Sequence, residues 1–296
     1  MLLEIKNVYK SFGIKEVLKG ISITAKSGTA LGILGRNGAG KTTTIRILMN
    51  VFPMDKGEIY IDGKPISYDK ISFGYLPEER GLYPKKKIID QLTYFAELKG
   101  VERKKAVKSI DYWLERLGMS EYRNKRLDTL SKGNQQKIQM ITALAHDPQI
   151  IIFDEPFSGL DPVNSLLLKD VIQEQIKNNK IVLFSSHQMS YIEEFCNNIA
   201  IMNGGEIVLS GNLDHIKRNY SRDTLSIRSL QVKNILRDYP DNCVQINDEY
   251  IEFSLSSPED KMKIINMIST KYDIDEIKVK EPSLNDIFIE YTEKQI

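Results

Sequence analysis

The chain has few of the residues that build disulfide-stabilised or zinc-binding proteins. Its 296 residues include only two cysteines, three histidines and one tryptophan. Neither a disulfide framework nor a four-ligand zinc site can be built from these cysteines and histidines by themselves. We therefore interpret Cys196 and Cys243 as reduced thiols, as expected in a cytosolic protein.

The sequence also lacks a strong charge of one sign and long apolar runs. A net charge of +1 gives no electrostatic reason to expect a nucleic-acid partner. Apolar runs such as Ile150–Phe153 have the length of a strand, far below the roughly 20 residues of a membrane-spanning helix. The first residues, MLLEIKNVYKSFG, lack the apolar stretch of a signal peptide. A role at a membrane would therefore need another subunit to cross it.

The composition that remains is that of a globular protein long enough for two domains: 41% hydrophobic and 27% charged. Over about the first 212 residues, short apolar segments alternate with helical patterns, which favours an α/β domain with a parallel sheet covered on both faces. Predicted helices lie at about 40–52, 88–117, from 131, 163–178 and 189–197. The segment DKGEIYIDGKPIS predicts a hairpin that turns at Asp62-Gly63.

After about residue 212 the order becomes strand, helix, strand, strand, helix, strand, with a final helix after Pro282. This order is typical of a small ferredoxin-like α+β domain. An RNA-recognition fold shares the order, but no segment matches its aromatic motif. We therefore predict domains at 1–212 and 213–296, with a helical subdomain at about 86–146 in the first.

The segment GRNGAGKT, residues 35–42, fits the phosphate-binding P-loop pattern G-x-x-x-x-G-K-[ST]. It follows a predicted strand and begins a predicted helix, which is the structural context of a P-loop. A glycine-rich loop that matched the pattern by chance would seldom lie in this context. Its glycines allow backbone N–H groups to surround phosphate oxygens at the positive end of a helix. Lys41 would reach the β- and γ-phosphates, and Thr42 would offer a hydroxyl to Mg²⁺.

The segment IIIFDEP, residues 150–156, ends an apolar run with two carboxylates. A buried parallel strand would deliver Asp154 to the sheet edge beside the P-loop, where it can hold Mg²⁺. Glu155 would lie near an attacking water and orient or deprotonate it. Taken alone, such a pair is more often a helix cap, and the preceding P-loop favours the catalytic interpretation.

The segment LSKGNQQK, residues 130–137, allows two interpretations by itself. Ser131 is a suitable N-cap for the helix that follows. The same hydroxyl, with the free N–H groups of the helix start, could instead contact a phosphate.

These segments and LFSSH, in this order, resemble the ATP-binding subunit of an ABC transporter over residues 1–212. The resemblance implies ATP and Mg²⁺ as ligands, catalysis by Glu155, His187 and Lys41, and Mg²⁺ ligation by Thr42, Asp154 and Glu78. It implies phosphate contacts from the whole P-loop and the residue after it: Gly35, Arg36, Asn37, Gly38, Ala39, Gly40, Lys41, Thr42 and Thr43.

Other positions acquire roles from the same resemblance. Phe12 corresponds to the aromatic residue that stacks on adenine, although a core position is the alternative. Ser131, Gly133 and Asn134 would contact the ATP of a second subunit. Asp161, in SGLD at 158–161, would approach that subunit's P-loop. The other histidines, His146 and His215, match no motif and are interpreted as structural or solvated.

Three positions depart from the family pattern. Glu78 replaces the usual Gln, which adds a negative charge beside ATP. Lys132 replaces the first Gly of the LSGGQ form, and Asn134 replaces its Gln with a shorter amide of the same hydrogen-bonding groups. The basic clusters 85–87 and 103–105 would face a permease or anionic lipid, or simply be solvated.

The resemblance predicts a homodimeric ATPase at the cytoplasmic face of the cell membrane, bound to a separate permease and most similar to type 2 exporters. One alternative is a soluble ABC ATPase without a permease, in translation, DNA repair or cluster assembly. Another is a non-hydrolysing, ATP-gated regulatory module, against which Lys41, Asp154, Glu155 and His187 argue.

Overall fold

A computed structural model of the chain describes residues 1–79, 81–157, 160–186, 188–220, 224–240, 242–255, 257–280 and 282–293. The chain divides into two compact units. The first contains Met1–Leu213 and the chain from Glu290 onward, and the second contains Asp214–Ile289. The second unit therefore ends before the chain does, whereas the sequence placed residues 213–296 in one domain.

The strands of the first unit form two sheets. The strands are β1 (Leu2–Phe12), β2 (Lys15–Lys26), β3 (Thr29–Gly35), β4 (Lys56–Ile61), β5 (Lys64–Pro65), β6 (Phe73–Leu76), β7 (Ile150–Asp154), β8 (Ile181–Ser185), β9 (Asn198–Asn203) and β10 (Glu206–Asn212). One sheet is antiparallel with the order β2-β1-β4-β5. The other has the order β10-β9-β3-β8-β7-β6, and among its described strands only β10 is antiparallel to its neighbour.

The centre of the second sheet is the predicted parallel core. Every residue of β7 and β8 is buried, as expected for apolar strands covered on both faces. Asp154 is paired with Ser185 in this sheet, so the strand ends that carry polar residues meet at one edge. The predicted hairpin is also present, and Asp62 and Gly63 turn it with φ of 50° and 73°.

Helices pack between and beside these strands. Those of the first unit are α1 (Lys41–Leu48), α2 (Ile88–Leu98), α3 (Arg103–Arg116), α4 (Lys132–Leu144), α5 (Pro162–Lys177) and α6 (Met189–Phe195). Helix α1 is shorter than the predicted 40–52, because Asn50 adopts a left-handed conformation with φ of 60°. The predicted helical segment 88–117 is broken near Gly100, which has φ of 83°.

After a helix that the sequence pattern did not predict, α7 (Leu213–Asn219), the second unit has the predicted order of elements. Its strands pair antiparallel in the order β12-β13-β11-β14, the order of a ferredoxin-like sheet. From Leu213 onward, the helices and strands are α7 (Leu213–Asn219), β11 (Thr224–Arg228), α8 (Val232–Asp238), β12 (Cys243–Gln245), β13 (Tyr250–Ser254), α9 (Pro258–Ser269), β14 (Glu276–Val279) and α10 (Leu284–Glu293). Within the described ranges, no helix is both long and apolar enough to cross a membrane.

Candidate nucleotide-binding site

The P-loop connects the end of β3 to the start of α1. Gly40 is the N-cap of α1 with φ of 110°, and a Cβ there would lie 2.6 Å from Cδ2 of Leu18. At Gly35 a Cβ would lie 2.7 Å from the carbonyl oxygen of Met202. Glycine is therefore required at both positions. No side chain caps α1, and the N–H groups of its first turn have no acceptor within the helix. This arrangement suits an anion.

Lys41 lies at the centre of this loop. Its Nζ donates to the carbonyl oxygens of Gly35 at 2.6 Å and Arg36 at 3.3 Å. Burial lowers the pKa of Lys41, while the carboxylates of Glu155, Asp154 and Glu78 act to raise it. The structure thus brings three predicted site carboxylates within electrostatic reach of the predicted phosphate-binding ammonium group.

Arg36 is directed to another partner. Its guanidinium donates to Oε1 of Glu293 at 2.9 Å, and both side chains are about half exposed. The same end of α10 also contacts the end of β9, where Nδ2 of Asn203 donates to the carbonyl oxygen of Tyr291 at 3.4 Å. An exposed ion pair of this kind contributes at most about 1 kcal/mol. A pair this weak leaves the guanidinium of Arg36 able to exchange Glu293 for a phosphate.

Asp154 ends β7 as a buried carboxylate. Its Oδ1 accepts a hydrogen bond from Ser185 Oγ at 2.8 Å, and its Oδ2 accepts one from Tyr75 Oη at 3.2 Å. Burial, followed by the charge of Asp154, raises the pKa of Tyr75 well above its usual value, so the phenol remains a donor. Among the described residues, no Lys or Arg lies within ion-pair distance of Asp154.

Glu155 follows in a left-handed conformation, with φ of 49°. Its backbone N–H donates to the carbonyl oxygen of Ser185 at 2.9 Å, which fixes this turn. Its Oε2 accepts a hydrogen bond from Ser186 Oγ at 3.1 Å. The two serines of LFSSH therefore contact the two carboxylates of IIIFDEP, a pairing that the sequence analysis missed.

The predicted Mg²⁺ site has few protein ligands: Thr42, Asp154 and Glu78. No group of three or more His, Cys, Asp or Glu able to hold a metal occurs in the described part of the chain. Mg²⁺ commonly binds through one or two carboxylates together with water and substrate phosphates. Asp154 is buried, is hydrogen-bonded to neutral hydroxyls and has no cation partner within the described ranges, so it fits such a site.

The LSKGNQQK segment begins α4. Ser131 is the N-cap, and its Oγ accepts a hydrogen bond from the Asn134 N–H at 3.3 Å. Ser131 and Lys132 are exposed. A Cβ on Gly133 would lie 3.2 Å from Nδ2 of Asn164. Among the described residues, no hydrogen bond joins this helix start to the P-loop of the same chain.

Two glutamines of α4 connect it to the loops that carry the carboxylates. Gln136 Nε2 donates to the carbonyl oxygen of Pro156 at 3.3 Å. Gln139 Nε2 donates to the carbonyl oxygens of Pro77 at 3.2 Å and Glu79 at 3.0 Å, on either side of Glu78. Both amides are buried. Their spacing of three places them on one helix face, a signal available in the sequence.

Asp161 is the N-cap of α5, where its Oδ1 accepts from the Asn164 N–H at 3.0 Å. Hydrogen bonds from the backbone and side chain of Asn164 lower the pKa of Asp161. Burial lowers the pKa of Lys137 in α4, and the charge of Asp161 acts in the opposite direction. The contact of Asp161 with a partner's P-loop stays a prediction.

Phe12 is 45% exposed, which excludes the alternative that it is a core residue. Its ring packs edge-on against Phe52, with centroids 5.6 Å apart. His146 is structural, because its Nε2 is hydrogen-bonded to the carbonyl oxygen of Phe73 at 3.0 Å. The predictions for His187 and for the first two residues of SGLD lie outside the described residues.

Comparison with known proteins gives the family. A family model for ABC transporters matches residues 18–158, and one for the C-terminal domain of DrrA1-3-like ATP-binding proteins matches residues 211–292. The chain is 41% identical to the uncharacterized ABC transporter ATP-binding protein YhaQ of Bacillus subtilis, covering 98% of both chains. It is 29% identical to the linearmycin resistance ATP-binding protein LnrL of the same bacterium, again over 98% of both.

A solved ATP-binding subunit of an ABC transporter matches the structure with a TM-score of 0.68. The identity is 28%, and the match covers 74% of this chain and 93% of that one. The matched fold is that of an ATP-binding subunit, as the P-loop and the two carboxylates after β7 also indicate. The similarity to YhaQ extends through the second unit, because it covers 98% of the chain. With 41% identity over nearly its whole length to one of its members, the chain belongs to the family of ABC transporter ATP-binding proteins.

Proposed function

We propose that this ATP-binding subunit is the ATP-hydrolysing motor of an exporter, working on a separate permease at the cytoplasmic face of the membrane. The observation that carries the proposal is the P-loop at the end of β3 together with Asp154 and Glu155 at the end of β7, at the same edge of the parallel sheet. The linearmycin resistance role of the relative LnrL supports export as the direction.

The site residues divide the chemistry among them. Lys41 and the start of α1 bind the phosphates, and Glu155 orients the attacking water and accepts its proton. Mg²⁺, held by Thr42 and Asp154, would supply positive charge to the phosphate oxygens. The left-handed backbone at Glu155 and its bond from Ser186 fix where its carboxylate lies.

A second copy of the chain would complete each site. Ser131 and Gly133 offer a hydroxyl and backbone N–H groups at the exposed start of α4, away from any hydrogen bond with their own P-loop among the described residues. In a homodimer they would contact the γ-phosphate bound by the partner's P-loop. Hydrolysis would then remove this contact and open the dimer.

A groove of about 780 Å³ in the first unit suits the permease. Its apolar residues include Phe95, Leu98 and Val51, and Leu98 and Val51 are 63% and 58% exposed. Arg46, Lys70, Lys99 and His146 line it too, with Asp69 as the acidic residue among its lining. We assign it to an amphipathic segment of the permease that carries acidic residues, because the basic side chains of the groove complement such charges.

Membrane recruitment tests this assignment. A Leu98→Asp variant should lose association with the permease by at least about tenfold, because the substitution removes an exposed apolar contact and places a carboxylate against the acidic residues of the docking segment. ATP hydrolysis by the isolated variant should stay within about twofold, since exposed substitutions rarely disturb the fold. Co-purification and phosphate release measure the two effects.

Val244→Asp is the matched control, because Val244 has the same 63% exposure but lies in the second unit. It should leave both measurements unchanged. Recruitment of Leu98→Asp at the level of the unmodified chain would overturn the groove assignment. If no membrane protein associates with the unmodified chain, the soluble ABC ATPase becomes the better description.

Glu78→Gln should retain ATP hydrolysis, within about fivefold of the unmodified chain. Glu78 is exposed, and an exposed charge contributes at most about 1 kcal/mol to its neighbours. The amide keeps an oxygen that can face Mg²⁺ or water. Initial rates of phosphate release measure the effect, with Glu79→Gln as the adjacent exposed control. Complete loss of activity would show that the acidic side chain itself takes part in the reaction.

A further inference from the structure

Tyr75 connects two features of the first unit. It lies in β6 beside Ile152 of β7, and Asp154 lies two residues farther along β7. Because alternate residues of a strand share a face, Ile152 and Asp154 point to the same side as Tyr75. Tyr75 is one of the residues that line the groove assigned to the permease, and its hydroxyl donates to Asp154 Oδ2.

The hydrogen bonds of Asp154 fix the orientation of its carboxylate. Ser185 donates to Oδ1 at 2.8 Å, and Tyr75 donates to Oδ2 at 3.2 Å. Each oxygen keeps a further lone pair for a cation or for a water bound to it. Partners of this kind, which contact a metal ligand and not the metal, commonly change metal affinity by about 10–100-fold when they are removed.

We propose that Tyr75 is a positioning residue that holds the Asp154 carboxylate in place for Mg²⁺ from the wall of the groove. This inference rests on the proposed assignment of Asp154 as a Mg²⁺ ligand. Among the groove residues described in the structure, Tyr75 is the one that hydrogen-bonds to that carboxylate. Whatever occupies the groove therefore meets a side chain in direct contact with the predicted metal ligand.

The experiment measures how much Mg²⁺ strengthens nucleotide binding. The dissociation constant of ADP is determined by titration calorimetry with Mg²⁺ and with EDTA, for the full chain and for Tyr75→Phe. The substitution removes one oxygen and keeps the ring. We expect the gain in ADP affinity on adding Mg²⁺ to shrink about tenfold, with ADP affinity in EDTA unchanged.

Tyr68→Phe is the matched control, because Tyr68 also lines the groove and is half-buried but has no bond to Asp154. It should behave like the unmodified chain. The proposal would be overturned if Mg²⁺ raised the ADP affinity of Tyr75→Phe as much as that of the unmodified chain. It would also be overturned if Tyr68→Phe lost as much of this gain as Tyr75→Phe, or if the ADP affinity of Tyr75→Phe fell equally in EDTA. An Asp154→Asn variant tests the assignment of Asp154 as a Mg²⁺ ligand separately from the role of Tyr75. If this variant also keeps the full gain in ADP affinity with Mg²⁺, Asp154 is not the ligand, and the positioning role of Tyr75 fails as well.

Discussion

In a Glu155→Gln variant we expect ATP hydrolysis to fall by about 10²–10⁴-fold, the usual contribution of a positioned general base. The amide has the size of the carboxylate but cannot accept a proton from water. Gln can adopt the backbone φ of 49° as Glu does, so the turn after β7 should be preserved. Phosphate release under saturating ATP and Mg²⁺ measures the loss.

The same variant should accumulate as an ATP-bound dimer. With hydrolysis blocked, the contact of Ser131 and Gly133 with the partner's nucleotide would not be released. Light scattering with ATP and Mg²⁺, compared with ADP, measures the molar mass. Glu121→Gln, at an exposed carboxylate of the helical subdomain, is the control and should hydrolyse ATP normally. A Glu155→Gln variant that stays monomeric with ATP would contradict the dimer, whereas full activity would contradict the assignment of Glu155 as the base.

Much of this site could be predicted because its parts are contiguous in the sequence. A P-loop between β3 and α1 is a local pattern, and its glycines are required by backbone conformation and close contact, as Gly40 shows. The buried run of β7 carries Asp154 and Glu155 to a known edge of a parallel sheet. The cap at Ser131 is equally local, and the structure shows it at the start of α4.

The contacts that orient these residues were harder to predict, because they join positions distant in the sequence. Ser185 and Asp154 are 31 residues apart, and Tyr75 and Asp154 are 79 apart. Their meeting depends on the order β8-β7-β6 and on strand register, neither of which the apolar pattern specifies. Gln139 presents the same difficulty, since its acceptors Pro77 and Glu79 lie in a loop about 60 residues earlier.

LSKGNQQK shows how one feature can serve two purposes. Helix capping and phosphate binding are competing interpretations of the sequence, yet both require a hydroxyl and free N–H groups at a helix start. The structure shows the cap, in the weak form of a 3.3 Å bond from the Asn134 N–H to Ser131 Oγ. A phosphate could compete with so long a bond, so the cap is compatible with the proposed contact to a second subunit.

Lys41→Ala should weaken ATP binding by about 10–100-fold, because a hydrogen bond to a charged group is worth about 1.5–3 kcal/mol. Removing the ammonium also removes the positive charge that interacts with Glu155, Asp154 and Glu78. Their negative potential would then oppose the phosphates. Titration calorimetry in EDTA isolates this effect from that of Mg²⁺.

Thermal unfolding distinguishes lost binding from a lost fold. The free chain should stay folded with Lys41→Ala, because the substitution removes the desolvation cost of the ammonium along with its two hydrogen bonds to backbone carbonyls. Ligand at 100 times its dissociation constant stabilises a protein by about 2.7 kcal/mol, whereas the same ATP concentration would stabilise the variant, which binds about 10–100-fold more weakly, by about 0.4–1.4 kcal/mol. The ATP-induced rise in melting temperature should therefore be at most about half as large in the variant as in the unmodified chain. Lys132→Ala, at the exposed start of α4, should keep the full ATP-induced rise in the isolated chain, because its lysine lies outside the P-loop. If Lys41→Ala kept that rise as well, the phosphates would bind elsewhere than at Lys41.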